Sequence, residues 1–402
     1  MTPVFLSPVL IQFLLGAALL APSSPAQRLQ NLLSDLLILD THIDTANCIV
    51  DEGYQVAEEH AYYQTDIPRL RRGRVGAVFF GVWVEQEFPS QVWVTRTLDL
   101  IDALREQVRR NPQDLEMAST ADDIVRIHRS GKVAALVGLE GGQLISDSLP
   151  VLRDYYRLGV RYMTLTHFKA NDWADSSTDP AVHNGLTPFG RDIVREMNRL
   201  GMMVDISHVS DKTFYDVLET TRAPVIASHS SMRALCNVPR NMSDDMIRAL
   251  ARNGGVVFIN FAMPFLDEKT AAAFARTRAD RDREVADMLA LNRSNPRRWE
   301  LRRDIFQRYN AQLPPVDISA VLRHIDHAVQ TIGADHVGIG SDFDGISDMV
   351  PNGLEDVSKY PALVQGLIDR GYSDTDIRKI MGENLLRVMR ANEAVSRQIA
   401  GK

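Results

Sequence analysis

Three residues able to bind a metal ion follow an apolar run near the start of the chain. The stretch "LLILDTHID" (36–44) contains Asp40, His42 and Asp44. In an extended segment residues i and i+2 point to the same side, so the His42 imidazole and the Asp44 carboxylate can reach one ion together. Asp40 lies one step further back on that side. It could be a ligand or a residue that holds His42 in place, and the supporting role is favoured.

Other candidate ligands stand at the ends of further apolar runs. Four of the ten histidines occupy such positions. They are His42, His167, His208 and His229. Glu140 ends another run in "GLEGG", and one carboxylate can bridge two cations through its two oxygens. With nitrogens from His208 and His229 at the second site, two divalent ions would lower the pKa of a water molecule and polarise a carbonyl.

A carboxylate also closes the last apolar run, "GIGSDFDG" (338–345). Asp342 can take a proton from water and pass it to a leaving amine, which is the general acid–base work of amide hydrolysis. Asp344 precedes Gly345 and is typical of a turn. The metal-binding and proton-transfer residues are therefore predicted to come from different strands.

The elements that must position these residues follow a regular alternation. Apolar runs cover 36–44, 75–84, 133–141, 160–167, 202–208, 223–230, 254–261 and 335–345. Such continuous runs are typical of parallel strands buried on both faces. Helical patterns separate many of them, over 95–110, 121–130, 187–200, 211–221 and 243–253. We predict an α/β fold, a (β/α)8 TIM-type barrel whose strand ends share one face. A doubly wound open sheet is the alternative, although its Gly-x-Gly-x-x-Gly turn is missing after the first strand.

Two segments depart from this alternation. Residues 265–316 are charged and rich in helix formers, which predicts a helical insertion after strand seven with its charges on a solvated face. Residues 1–26 combine an apolar run with small residues, which predicts a secretory signal cut near Ala26 and export to the periplasm or the exterior. An N-terminal membrane anchor is the alternative. The remainder, 27–402, is predicted to be a single catalytic barrel domain that includes the insertion.

Composition favours small-molecule or peptide chemistry. The 402 residues are 45% hydrophobic and 24% charged, as in ordinary globular enzymes. The net charge of −7 is spread without a long basic run, so nucleic acid is not an expected partner. Cys48 and Cys236 lack zinc-site spacing; a disulfide between them and two buried thiols are both open.

In combination, these motifs resemble the membrane (renal) dipeptidase family, the zinc dipeptidases of the amidohydrolase superfamily. The similarity runs from about 36 to 390 and comprises "DTHID", "GLEGG", "LTHFKANDWADSS", "DISHVS", "ASHSSMRALCNVPRN" and "VGIGSDFDG", in the family's order. The resemblance implies two zinc ions per subunit. Its metal ligands are His42 and Asp44 for one ion, His208 and His229 for the other, and Glu140 as the bridge.

The resemblance also implies roles in the reaction. Asp342 matches the family's proton-shuttling aspartate, which also contacts substrate. His167 matches the histidine that contacts the scissile carbonyl, where it can stabilise the developing oxyanion. Arg240, in "VPRN", matches the arginine that pairs with the C-terminal carboxylate of the substrate. The implied reaction is hydrolysis of a dipeptide by a hydroxide held between the two zinc ions, with Glu140 among the catalytic residues.

Some properties of the family do not carry over to this chain. The chain ends "AVSRQIAGK" instead of the hydrophobic lipid-anchor signal of mammalian members, so a stable membrane anchor is not expected. The disulfide-forming cysteines of those members have no match in "THFKAND". Dipeptides with a C-terminal D-residue and β-lactams are both open as substrates, and a homodimer is open. Another amidohydrolase, acting on a cyclic amide, lactone or N-acyl amino acid, is the main alternative, and a non-catalytic barrel is the weaker one.

Overall fold

Parallel β-strands dominate the centre of the computed structural model, which describes residues 25–401 apart from 87, 293, 294 and 296. The strands of this part of the chain are β1 (Ile38–Ile43), β2 (Val75–Trp83), β3 (Leu115–Met117), β4 (Val133–Glu140), β5 (Val160–Thr164), β6 (Met203–Asp205), β7 (Ile226–Ala227), β8 (Val256–Ile259) and β9 (Val337–Ile339). They pair in the order β1-β2-β4-β5-β6-β7-β8-β9, and β3 pairs with β4 outside this path. A parallel β-bridge between Ile43 of β1 and Phe343, which follows β9, places the end of the last strand beside the first strand and closes the ring.

Helices connect the strands and cover the barrel. They are α1 (Pro25–Leu33), α2 (Thr45–Glu52), α3 (Ile67–Arg72), α4 (Trp93–Arg110), α5 (Ala121–Arg129), α6 (Leu149–Arg157), α7 (Pro188–Leu200), α8 (Asp211–Thr220), α9 (Asp244–Arg252), α10 (Met263–Leu266), α11 (Glu268–Leu291), α12 (Arg298–Asn310), α13 (Ile318–Ile332), α14 (Tyr360–Asp369), α15 (Asp374–Arg378) and α16 (Asn384–Ile399). Side-chain caps fix several starts, since Thr187 accepts from Gly190 N and Ser243 accepts from Met246 N.

The predicted (β/α)8 barrel is confirmed, and each of the eight predicted runs contains one strand of the ring. The insertion after the seventh ring strand is also confirmed, as α11 and α12. Strand β3 was not predicted, because "LEM" is only three residues long and has no continuous apolar run. The ring closure rules out the open doubly wound sheet.

Alternation along β2 and β4 separates the barrel interior from the helical layer. Val78 and Phe80 belong to the apolar cluster between the strands and the surrounding helices, whereas Ala77 and Phe79 belong to the apolar cluster inside the barrel. Two inward positions are glycines: a Cβ would lie 2.4 Å from Asp44 Oδ1 at Gly81 and 2.0 Å from the Tyr162 ring at Gly138. A side chain at either position would displace the residues that hold the polar end of the barrel.

The remaining sequence predictions concern the N-terminal segment and the two cysteines. The predicted signal, 1–26, lies outside the described residues except for its last two positions. Among the described helices, none combines the length and apolar character required to cross a bilayer. Cys48 and Cys236 are both buried and free in this structure.

Candidate metal centre and active site

The carboxyl ends of six ring strands bring the predicted site residues into one cluster. Each of these residues lies either at the carboxyl end of its strand or within three residues after that end. The residues are His42 and Asp44 from β1, Glu140 from β4, His167 after β5, His208 after β6, His229 after β7 and Asp342 after β9. All are buried except Asp342, which is partly exposed. The barrel therefore assembles residues that are up to 300 positions apart in the chain.

Glu140 lies at the centre of this cluster and is 3% exposed. Its Oε1 lies 3.0 Å from His208 Nε2 and 3.1 Å from His229 Nε2. Its Oε2 lies 3.4 Å from His42 Nε2, which in turn lies 3.3 Å from Asp44 Oδ1. The two carboxylate oxygens thus face two different groups of candidate ligands.

Hydrogen bonds behind His42 fix the role of each ring nitrogen. The Tyr162 hydroxyl donates to the Thr41 carbonyl at 3.1 Å, so it accepts the proton of His42 Nδ1 at 2.7 Å. Burial lowers the pKa of His42, but Tyr162 and the carboxylates of Glu140 and Asp44 raise it well above its usual value. In the neutral ring, His42 Nε2 carries a lone pair and points at carboxylate oxygens. Both His42 Nε2 and Asp44 Oδ1 are buried and have no hydrogen-bond partner among the described residues. Buried acceptors that face one another are stabilised by a cation between them.

A second chain of hydrogen bonds orients His229. Ser228 Oγ donates to Asp205 Oδ2 at 2.6 Å and lies 2.8 Å from His229 Nδ1, which donates to it. His229 Nε2 therefore also carries a lone pair, 3.0 Å from His208 Nε2. Burial lowers the pKa of both histidines well below the usual value, which favours the neutral form that binds metal.

The charges at the centre suit divalent cations. Burial raises the pKa of Glu140, but the histidines around it, first His167 and His42, lower it well below its usual range, so the carboxylate is ionised. Ligand atoms within 4.8 Å of one another form three groups of three. The groups are His42, Asp44 and Glu140; Glu140, His167 and His208; and His42, His229 and Asp342. These nitrogen and oxygen donors could hold zinc, manganese, cobalt or iron.

Asp40 does not contribute a free carboxylate to this cluster. Its Oδ1 accepts from the backbone N–H groups of His42 and Ser341 at 3.1 and 3.0 Å. Its Oδ2 accepts from Ser341 Oγ and from the Tyr360 hydroxyl. Both oxygens are therefore occupied, and Asp40 ties β1 to the segment after β9. The structure supports the role of Asp40 as a residue that holds His42.

The residues predicted to act on substrate lie beside the candidate metal ligands. His167 Nε2 is 3.7 Å from Glu140 Oε1, and burial lowers the pKa of His167, so its imidazole is neutral. Asp342 Oδ2 accepts from Asn260 Nδ2 at 2.8 Å. Burial, followed by the nearby Asp44 charge, raises the pKa of Asp342 well above its usual range. Asn260 was missed from the sequence, although it follows β8 as the histidines follow their strands.

Arg240 is only 4% exposed. The sequence does not predict this burial, because Arg240 stands there as a single arginine in a loop. Its Nη2 donates to the His229 carbonyl at 2.8 Å and its Nη1 to Ser230 Oγ at 3.0 Å. Its Nε is buried and has no hydrogen-bond partner among the described residues. Burial lowers the pKa of Arg240 to about 10, so the guanidinium remains a cation at neutral pH. It can therefore pair with an anionic group next to His229.

A cavity of about 380 Å³ opens above the cluster. Glu140, His167 and Arg240 line it on the barrel side, and residues of α11 and α12 line it on the other. The prediction that the insertion carries its charges on a solvated face holds for exposed residues such as Arg276 and Asp280, but not for the arginines that line the cavity. Arg281, for example, is 5% exposed, because it packs between aromatic rings in the cavity wall.

A (β/α)8 barrel with a buried histidine–carboxylate cluster at its carboxyl face defines a class of metal-dependent hydrolases. The sequence profile of the membrane dipeptidase family (peptidase family M19) matches residues 26–402, and the chain belongs to this family. It is therefore a metallopeptidase of the dipeptidase type, as the motifs predicted.

Curated proteins and solved structures agree with this assignment. The chain is 40% identical to Dipeptidase tcpJ of Claviceps purpurea, over 86% of this chain and 73% of that protein. It is 35% identical to Dipeptidase 3 of Macaca fascicularis, over 92% and 67%. The probable dipeptidase PvdM from Pseudomonas aeruginosa superposes with a TM-score of 0.80 at 28% identity, over 93% of this chain and 100% of that one. A metallo peptidase from Rhodobacter sphaeroides, liganded with a phosphinate mimic of L-Ala-D-Ala, shares the fold with a TM-score of 0.74 at 24% identity, over 89% and 99%.

Proposed function

We propose that this chain hydrolyses the peptide bond of free dipeptides with two zinc ions. His42 and Asp44 hold one ion, His208 and His229 hold the other, and Glu140 holds both. The observation that carries this proposal is the division of the Glu140 carboxylate: Oε1 lies near two histidine nitrogens and Oε2 lies near the third. His42 Nε2 and Asp44 Oδ1 support the same placement, because both atoms are buried without a hydrogen-bond partner among the described residues.

The ions and the protein have separate tasks in the proposed reaction. When bound, a pair of zinc ions supplies Lewis acidity, which lowers the pKa of a water molecule and polarises the peptide carbonyl. His167 is neutral, and its N–H group donates to the carbonyl oxygen as negative charge develops there. Asn260 holds one oxygen of Asp342, and the carboxylate takes the proton of the attacking water and gives it to the departing amine.

Arg240 selects for a free carboxylate in this account. Its guanidinium is fixed by two hydrogen bonds beside His229, so it binds the C-terminal carboxylate of a dipeptide without first being immobilised. We extend the proposal to dipeptides with a C-terminal D-residue and to β-lactams. A D-residue at this position has support from the ligand of the Rhodobacter neighbour.

A substrate panel tests the proposed function. The purified protein is stripped of metal with a chelator and titrated with zinc, and hydrolysis is measured for L,L- and L,D-dipeptides, a β-lactam, tripeptides, dipeptide amides, N-acyl amino acids and lactones. Zinc should restore hydrolysis of dipeptides with a free carboxylate, and the metal-free protein is the control. If no dipeptide is cleaved with zinc restored, while an N-acyl amino acid or a lactone is, the chain is another kind of amidohydrolase.

We also propose that the protein is exported. The support is the apolar run and small residues of 1–26, which resemble a secretory signal. N-terminal sequencing of the protein from its own cells should give a new start near position 27. An intact N-terminus on protein recovered from membranes would favour the anchor instead.

A further inference from the structure

The cavity above the metal centre has a second wall, which the catalytic residues do not use. The helices α11 and α12 form it, and four of their arginines line the cavity. These are Arg278, Arg281, Arg302 and Arg303. Trp299, Arg302 and Phe306 are spaced three and four residues apart on α12 and share one face of the helix. The insertion therefore presents cationic and aromatic groups to the cavity that contains Glu140.

Three of these arginines are already paired with carboxylates. Arg281 Nη2 lies 2.7 Å from Asp282 Oδ1, and Arg278 Nε lies 3.4 Å from Oδ2 of the same residue. Arg303 donates to Glu52, and this ion pair joins α12 to α2. Two carboxylates thus serve these three arginines, and their charges are partly neutralised within the protein.

Arg302 differs from the other three. Its guanidinium carbon lies 5.0 Å from the centre of the Phe306 ring and 5.8 Å from that of Trp299, yet it makes no ion pair with any carboxylate of the described residues. Trp299 Nε1, on the same face of the helix, is buried and has no hydrogen-bond acceptor among the described residues. Stacking restricts the rotamers of Arg302, so binding an anion costs less side-chain entropy.

A guanidinium without an ion pair, stacked on aromatic rings in the wall of a cavity, is suited to a carboxylate. On the basis of the proposed dipeptidase function, we propose that Arg302 binds a carboxylate on a substrate side chain, with the rings of Trp299 and Phe306 holding its guanidinium in place. The enzyme then prefers dipeptides that carry one acidic side chain. Arg240 binds the main-chain carboxylate beside the metal centre, and Arg302 binds the side-chain carboxylate at the insertion. A neutral side chain leaves the Arg302 guanidinium without an ion pair, because Glu52, whose pKa Arg302 helps to lower, is already paired with Arg303.

Paired substrates that differ only in this charge test the proposal. The kcat/KM of Ala-Glu is compared with that of Ala-Gln, and that of Glu-Ala with that of Gln-Ala. In one of the two orders, the wild type should prefer the acidic substrate by about tenfold. Arg302→Gln should abolish this preference, and Arg302→Glu should reverse it in favour of the corresponding lysine dipeptide. The control Arg276→Gln removes the same charge from an exposed position of α11 that does not line the cavity, and it should keep the preference.

The ratio of kcat/KM values within one variant cancels differences in folding and metal loading. Equal hydrolysis of the acidic and neutral substrates by the wild type in both orders would overturn the proposal, as would a preference that survives in Arg302→Gln. Hydrolysis of Ala-Ala is measured beside them. If Ala-Ala is cleaved but charge is not discriminated, only the role of Arg302 fails; if no dipeptide is cleaved, the proposed function fails as well.

Discussion

Removal of one hydroxyl group behind the metal centre is expected to weaken metal binding. Tyr162 is fully buried, and its hydroxyl accepts from His42 Nδ1 and donates to the Thr41 carbonyl. In the proposed zinc site, this arrangement makes His42 Nε2 the atom that binds the ion. In Tyr162→Phe the imidazole loses the partner that fixes its tautomer and its orientation.

Both the metal affinity and the stability of the variant can be estimated. Loss of a residue that orients a metal-binding histidine lowers metal affinity by about 10- to 100-fold. Two buried groups, His42 Nδ1–H and the Thr41 carbonyl, also lose a partner. Each unsatisfied group costs roughly 1–3 kcal/mol, so the free energy of unfolding of the metal-free variant should fall by about 2–6 kcal/mol.

The assay separates these two effects. Zinc affinity is measured by competition with a chromophoric chelator, and stability by urea unfolding of the metal-free protein. Tyr155→Phe is the matched control, since Tyr155 is also fully buried and its hydroxyl donates to the Leu144 carbonyl at 3.0 Å, away from the ligands. It should lose about 1 kcal/mol of stability and keep its zinc affinity. Unchanged zinc affinity in Tyr162→Phe, or an equal loss in Tyr155→Phe, would refute the reasoning.

Three further predictions concern the reaction and the folded state. Asp342→Asn should retain zinc, as measured by metal analysis, but lose about 10²- to 10⁴-fold in kcat; near-normal turnover would exclude proton transfer by this residue. Arg240→Ala should lower kcat/KM by about 10- to 100-fold for dipeptides with a free carboxylate and much less for their amides, so equal losses would exclude the pairing. His324 Nδ1 accepts from Met232 N at 3.0 Å, and burial lowers the pKa of His324 to about 4. Because the unfolded chain binds this proton from about pH 6.5 downwards, stability should fall by about 3 kcal/mol as the pH drops from 6.5 to 4. Urea unfolding should show a smaller fall in His324→Gln, and an identical fall in both proteins would contradict the assignment.

The convergence of the proposed metal-binding residues was predictable from the sequence for a physical reason. Parallel strands in a barrel place their carboxyl ends on one face, so polar residues that end apolar runs must meet there. His42, Glu140 and His229 are separated by many residues in the chain, yet this rule alone predicts that they lie together. The same rule could have found Asn260 and Asp205, each of which also ends a strand.

Other parts of the site depend on contacts that no spacing encodes. Tyr162 looks like an ordinary core residue of its strand, and only the packed barrel shows that its hydroxyl reaches His42. The packing of the insertion could not be predicted either, because its composition shows many charges but not which face of each helix packs on the barrel. The burial of Arg281 and the position of Arg302 in the cavity wall follow from that packing.

The claim that Glu140 joins two zinc ions can be tested most directly by anomalous diffraction at the zinc absorption edge from crystals of the zinc-loaded protein. Two peaks are expected in the anomalous difference map. One should lie between Glu140 Oε1 and the nitrogens of His208 and His229, and the other between Glu140 Oε2 and the side chains of His42 and Asp44. A single peak, or two peaks that do not share Glu140 as a ligand, would contradict the claim.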